Sequence, residues 1–162
     1  GGPVLTRLNT SRYVSLGLAL LVALLAAAPA AAQGPSVFSY NTFTAAVALV
    51  TTTEIEIVAS PALATPRGEV NVVVLCFGQL TTGTATTGVI PRIRRGSTIS
   101  GTLVSEENEI TVGAAAGSTE QFYVMVSEER ATSSVQYVCT LDQVGATGNG
   151  SAIYGGILVL AR

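Results

Sequence analysis

Residues 70–77 read Val-Asn-Val-Val-Val-Leu-Cys-Phe, with a single polar side chain, Asn71, among eight positions. Four of its eight residues are β-branched valines, and Pro66, Gly68 and Gly78 flank it. Both features favour a strand over a helix. A strand that is apolar on both of its faces is typical of a sheet interior covered on both sides. We therefore expect residues 70–77 to form a central, doubly covered strand.

Further strand patterns follow along the chain. Residues 53–57, Thr-Glu-Ile-Glu-Ile, alternate as a half-solvated strand does. Residues 121–126 predict another strand, with Phe122, Val124 and Val126 on one face and Tyr123 and Met125 on the other. Residues 135–141 predict an inward face of Val135, Tyr137, Cys139 and Leu141. About eight such strands predict an all-β fold, a single antiparallel two-sheet β-sandwich or jelly roll. Pro91 lacks a ladder donor, so its strand is predicted to lie at an edge or to start late.

Residues 1–32 have the three parts of a secretory signal. Arg7 and Arg12 supply a positive region, Val14 to Ala28 form an uncharged apolar run, and residues 29–32, Pro-Ala-Ala-Ala, offer a small-residue cleavage site. A retained hydrophobic helix is the alternative, because Val14–Ala32 approaches the roughly 20 residues that span a bilayer. We expect cleavage after Ala32 and export to the cell surface, the periplasm or the medium. A membrane is a partner only if the segment is retained.

Three regions follow from these patterns. Residues 1–32 form the signal peptide or N-terminal hydrophobic segment, residues 33–52 an N-terminal arm or first strand, and residues 53–162 the β-sandwich domain. The 130 residues after the signal suffice for one domain with one core.

The composition is poor in groups that perform chemistry. The 162 residues contain no His, Lys or Trp, and Asp142 is the single Asp. Proton transfer, Schiff-base chemistry and metal binding near neutral pH draw mainly on those side chains. We predict a non-enzymatic protein with no catalytic residue, cofactor or metal site. After residue 32, six Arg face ten acidic residues, a charge of 6 − 10 = −4. Phosphate binding needs a basic surface, so nucleic acid is not an expected partner.

Two cysteines, Cys76 and Cys139, lie in apolar strand patterns after the signal. In an oxidising compartment a disulfide between them is plausible on number alone. Two buried free thiols are the alternative. Geometry decides between the two.

Arg92, Arg94 and Arg95 form the strongest positive cluster. Guanidinium groups bind carboxylates, sulfates and phosphates in bidentate fashion, so these residues are the candidate ligand or partner contacts. Pairing with the protein's own glutamates, within or between subunits, is the favoured interpretation. Glu54 and Glu56 share a strand face, and we interpret them as a solvated face rather than a catalytic carboxylate pair.

Two apolar segments predict contacts between subunits. Phe38, Tyr40 and Phe43 lie in the 33–52 region, which forms either the first strand or an arm that adds to a neighbour's sheet. The closing strand, residues 152–161, is apolar on both faces and carries the remaining candidates, Tyr154, Leu158 and Leu160. A central strand buried within one subunit would have the same pattern.

The order of landmarks adds a resemblance. A strand ending in residues 78–83, Gly-Gln-Leu-Thr-Thr-Gly, precedes Arg92–Gly96, Gly101–Val104, an aromatic strand, Tyr137, and residues 145–150, Gly-Ala-Thr-Gly-Asn-Gly, before the apolar C-terminal strand. Over Val70–Leu160 this order resembles small jelly-roll (TNF-like) modules of bacteriophage head-decoration and fibre-type structural proteins and related environmental sequences. The resemblance implies a sandwich that assembles, often as trimers, on a larger particle. An export signal departs from it, since tailed-phage head proteins assemble in the cytoplasm.

Two functions follow as expectations. The first is a structural subunit, exported or on a virion surface, that forms a homo-oligomer, for example a trimer, or a larger assembly. The alternative is a secreted glycan-binding sandwich that uses Arg92, Arg94 and exposed tyrosines.

Overall fold

A computed structural model describes residues 37–49, 53–65, 69–82, 87–113, 115, 117–144 and 150–162. The predicted N-terminal helix, signal and cleavage site lie outside these residues. The described residues contain strands and connecting turns. The strands are β1 (Val37–Phe43), β2 (Val47–Ala48), β3 (Glu54–Ala59), β4 (Leu63–Ala64), β5 (Glu69–Thr82), β6 (Thr87–Arg95), β7 (Thr102–Glu106), β8 (Ile110–Val112), β9 (Thr119–Ala131), β10 (Ser134–Val135), β11 (Tyr137–Val144) and β12 (Gly150–Ala161).

Two antiparallel sheets stack to form the sandwich. Sheet 1 has the order β1-β12-β5-β9, and β2 extends it beside β12. Sheet 2 has the order β3-β11-β6-β7, and β8 pairs with β6 beyond the end of β7. A separate short ladder joins β4 and β10. The predicted all-β, two-sheet antiparallel sandwich is confirmed.

The strand order is that of a jelly roll. When the eight principal strands β1, β3, β5, β6, β7, β9, β11 and β12 are counted in chain order, sheet 1 reads 1-8-3-6 and sheet 2 reads 2-7-4-5. Two Greek keys produce this order, in which the first and last strands lie side by side. Residues 37–43 thus form a strand of sheet 1, paired with β12 from Val37 opposite Ala161 to Phe43 opposite Gly155.

Alternate residues of each sheet fill the space between the sheets. On β5 these are Val70, Val72, Val74 and Cys76, each at most 3% exposed. The predicted inward face of residues 135–141 is confirmed, since Tyr137, Cys139 and Leu141 have no exposed surface and Val135 is 5% exposed. A bulge opposite Cys139 and Thr140 places Ile57 and Val58, which are neighbours in sequence, both in the core.

The disulfide joins the two sheets. Cys76 lies on β5 of sheet 1 and Cys139 on β11 of sheet 2, with their Cα atoms 5.8 Å apart, within the range that a disulfide spans. Both cysteines are fully buried in the core, and the structure bonds them to each other.

Two expectations for individual strands require correction. Residues 70–77 do lie in a central strand, but Val73, Leu75 and Phe77 on its outer face are only partly buried, so the described chain fully covers only one face of it. Pro91 lies in β6, which is an interior strand. It is tolerated there because β7 pairs with residues 92–95 and β8 with residues 87–89, so neither requires a donor from Pro91.

Candidate functional site

The outer face of sheet 1 presents three uncharged cross-strand rows. Its first row is Phe38, Leu160, Val73 and Ser127, its second is Tyr40, Leu158, Leu75 and Met125, and its third is Thr42, Gly156, Phe77 and Tyr123. Tyr154 follows on β12, opposite Gln79. We call the apolar members of this surface the apolar face: Phe38, Tyr40, Val73, Leu75, Phe77, Tyr123, Met125, Tyr154, Leu158 and Leu160.

Much of the apolar face is open to solvent. Phe38 and Tyr123 are each 70% exposed, and Tyr40, Met125 and Tyr154 are about half exposed. Four strands about 4.8 Å apart and three rows about 6.7 Å apart give a footprint of roughly 400 Å². The largest apolar patches on ordinary monomers reach about 300–600 Å² and are often functional. The apolar face is therefore a candidate contact surface.

The outer face of sheet 2 is charged and internally paired. Arg94 binds Glu54 through two nitrogens, with Nε–Oε1 and Nη2–Oε2 distances of 2.5 Å, and donates to the carbonyl of Gly101 at 3.0 Å. Arg92 reaches Asp142 at 2.8 Å, Glu54 at 3.1 Å and Glu106 at 2.5 Å. We call this group, together with Thr140, the charged face.

The arginines of the charged face are paired with carboxylates, and the face is partly shielded from water. Glu54, Asp142 and Glu106 offset Arg92 and Arg94, so the group carries a net charge of 2 − 3 = −1. Thr140 lies opposite Arg92 on the outward side of β11, has no exposed surface, and donates its hydroxyl to Glu54. Arginine stems cover neighbouring surface while their charged heads stay near water. An acidic ligand would have to displace existing carboxylates here.

The charged face also sets the ionisation of Glu54. Burial opposes the charged form, but hydrogen bonds from Arg94 and Thr140 and the charges of Arg94 and Arg92 outweigh it, so the pKa of Glu54 lies below its ordinary value. A general acid needs a raised pKa instead. Glu56, the other member of the sequence pair, is exposed.

Arg95 is separated from the other two arginines. Alternation along β6 turns it to the opposite side, where it binds Glu128 of sheet 1 at 2.8 Å. The buried Tyr137 of sheet 2 donates its hydroxyl to the same carboxylate at 2.5 Å. Burial and then this hydrogen bond raise the pKa of Tyr137. These three side chains form a polar link between the sheets.

Five of the six residues predicted to form contacts between subunits lie together on one surface. Phe38, Tyr40, Tyr154, Leu158 and Leu160 share the apolar face. Phe43 does not, because it packs against the core beside Gly155.

Sequence reasoning did not identify Tyr123, Met125, Val73, Leu75 or Phe77 as candidate contacts. The signal was present, since β9 and β5 carry apolar side chains on both faces.

Within the described ranges, no group of three or more His, Cys, Asp or Glu is placed to hold a metal ion. In the same portion of the chain, no helix is long and apolar enough to cross a bilayer.

No family model matches the chain, and no curated protein matches it. Among solved structures, the chain is similar to a structure of infectious bursal disease virus, Gx strain, with 10% sequence identity and a TM-score of 0.46. The match covers 84% of this chain and 36% of that chain, so this chain spans about a third of its length. The strand order, and not this similarity, identifies the fold.

Proposed function

We propose that this protein is a non-enzymatic structural subunit that assembles with copies of itself through the apolar face, as part of a surface or particle assembly. The jelly-roll fold itself leaves function open, because capsid, lectin and cupin domains share it. The observation that carries the proposal is the apolar face, three uncharged rows of sheet 1 in which Phe38, Tyr40, Tyr123 and Met125 are about half or more exposed.

The pattern of the strands suits burial on both sides. Antiparallel sheets with one wet face alternate apolar and polar residues, whereas β5 and β12 are apolar on both. One subunit buries only the inner residues of these strands. A second layer against Leu75, Phe77 and Leu158 would complete the burial that their sequence implies.

A second copy of the chain is the occupant that we favour. In a two-fold interface the same patch lies on both sides, so an uncharged surface meets an uncharged surface with no unpaired charge. The footprint of roughly 400 Å² is about half of the 800 Å² that each partner contributes to a standard interface. Tyr40, Tyr123 and Tyr154 add the aromatic side chains in which binding energy concentrates.

The disulfide and the composition of the chain support two further parts of the proposal, export and a role without catalysis. The inter-sheet disulfide and the signal pattern of residues 1–32 both support export to an oxidising compartment. The lack of His and Lys, and the lowered pKa of Glu54, support a role without catalysis.

Light scattering tests the proposal on protein recovered from expression of the full chain, with intact mass to establish whether residues 1–32 remain. We expect the molar mass to rise above one chain with concentration. Met125→Glu places a charge in the middle row of the apolar face and should shift the protein to monomer. Leu103→Glu is the matched control, since Leu103 is 43% exposed on the outer side of sheet 2.

Two outcomes would contradict the proposal. The first is a wild-type protein that stays monomeric at high concentration. The second is equal association of Met125→Glu and wild type, which would assign assembly to another surface or to residues 14–32.

A further inference from the structure

A groove of about 280 Å³ lies at the side of the sandwich, separate from the charged face. Its floor is Ile110, which packs against the core, and Phe122, which is 2% exposed. One wall is residues 107–109, the link between β7 and β8 of sheet 2, and the other is the edge strand β9 of sheet 1. Both walls are therefore held by strands of the stacked sheets, as a preorganised site requires.

The polar side chains of the groove are free. Asn108 and Glu107 on one wall and Gln121 on the other are exposed, and in the described portion of the chain they make no side-chain hydrogen bond or ion pair. The carboxylate of Glu109, in contrast, packs over Gly88 of β6. The arginines of the charged face are in contrast all engaged. The ring of Tyr123, 70% exposed, stands beside Gln121.

This combination selects a class of ligand. Amides and carboxylates around an apolar floor offer both donors and acceptors to hydroxyl groups, and a tyrosine ring offers an apolar surface with a polar tip. Sugars and phosphates with negative charge are disfavoured, because two carboxylates and no basic residue line the groove. A metal ion is disfavoured as well, since the described residues include no group of three suitable ligands.

We propose that this groove binds a neutral saccharide unit. Asn108 and Gln121 hydrogen-bond its hydroxyls, Glu107 accepts from them, and Tyr123 packs against its C–H face. The volume lies just below the range of about 300–1,000 Å³ typical of small-molecule sites, so one sugar unit of a longer chain occupies it. The site shares Tyr123 with the apolar face, but Asn108 and Gln121 lie outside that face. It differs from Arg92 and Arg94, which the sequence offered for a glycan as the alternative function.

The test is binding of the full chain to a glycan array that carries neutral, sialylated and sulfated glycans and an arginine-rich peptide. We expect neutral glycans to bind in preference, and binding to fall at least tenfold in Asn108→Ala/Gln121→Ala. Glu120→Gln, beside the groove on β9 but not lining it, and Arg92→Ala on the charged face should bind as wild type does. Both alanine positions are exposed, and thermal unfolding checks that the variant folds.

Three results would overturn the inference: no binding to any neutral glycan, undiminished binding in the double variant, or preference for acidic glycans or for the basic peptide. Light scattering on the same samples separates this result from self-assembly, because the groove variants should associate as wild type does.

Discussion

The two sheets have their outer faces on opposite sides of the sandwich. These faces differ in the kind of side chain that they expose to water. On sheet 2, Arg92 and Arg94 lie across three carboxylates, and the fully buried Thr140 lies among them. On sheet 1, the equivalent layer is aromatic and aliphatic, and the described chain places nothing over it. The charged face is paired within one subunit, whereas we propose that a second copy covers the apolar face.

The disulfide between Cys76 and Cys139 links the two sheets that carry these faces. Replacing both Cys76 and Cys139 with alanine should lower the free energy of unfolding by about 4 kcal/mol, because the bond closes a loop of 63 residues in the unfolded chain. Urea unfolding followed by tyrosine fluorescence measures this change. Wild-type protein under reducing conditions should match the variant. A loss below about 1 kcal/mol would show that the stacking of the sheets does not depend on the bond.

The charged face should be sensitive to one residue. Glu54→Ala removes the carboxylate that both Arg92 and Arg94 bind, and we expect a loss of about 2–3 kcal/mol in unfolding free energy. Glu56→Ala, two residues along the same strand but exposed, is the matched control and should change it by less than about 0.5 kcal/mol. Equal effects in the two variants would contradict the distinction drawn between the paired and the solvated glutamate.

Glu54 should also affect how the unfolding free energy falls at acid pH. Since the folded pKa of Glu54 is below its unfolded value of 4.5, its contribution is present above that pH and is lost as pH falls through the folded pKa. Glu54→Gln should therefore flatten the decline of unfolding free energy on the acid side of pH 4.5. An unchanged acid limb would contradict the lowered pKa of Glu54 in the folded protein.

The hydrogen bond between Tyr137 and Glu128, in the interior between the sheets, should affect the unfolding free energy at alkaline pH. Tyr137→Phe removes the hydroxyl that reaches Glu128 across the sheets and should cost about 1–1.5 kcal/mol at neutral pH. The raised pKa of Tyr137 adds stability that is complete below its unfolded value of 10.0 and is lost as pH rises above it toward the folded pKa. The variant should lose less stability than wild type in that range, measured by chemical unfolding. A parallel decline would refute the role of this hydroxyl.

The smallest change in stability should come from the apolar face. Met125→Glu and Leu103→Glu are both surface substitutions, and each should change the unfolding free energy of the monomer by no more than about 0.5 kcal/mol. Their association should differ strongly, as proposed above. Thermal unfolding at low concentration measures the first quantity. A large loss in Met125→Glu alone would mean that the apolar face supports the fold of the single subunit rather than its assembly.

The fold was largely predictable because β-strands record burial in alternate residues. The inward set Val135, Tyr137, Cys139 and Leu141 could be identified from spacing alone and is buried as expected. Pro91 misled the prediction, since its tolerance within β6 depends on where β7 ends and β8 begins. Pro91 lies between the parts of β6 that pair with β7 and with β8, and the sequence of β6 does not show where those two strands end.

The candidate contact surface was predictable in part. Tyr154, Leu158 and Leu160 were identified because their strand is apolar on both faces, but Phe43 was included with them although it turns inward. Tyr123 and Met125 join the same surface only because β9 pairs with β5. The face of a residue follows from its strand, whereas its neighbours follow from the order of the strands.

By itself, the sequence determined that this chain forms two-sided apolar strands, and that it has few groups for proton transfer or metal binding. Only the tertiary structure decided which charged side chains pair and which cysteines lie side by side. Glu54 and Asp142 reach Arg92 from 38 and 50 residues away, and Cys76 reaches Cys139 across 63. Alternation is a local property of each strand, whereas these contacts depend on the jelly-roll order that brings distant strands side by side.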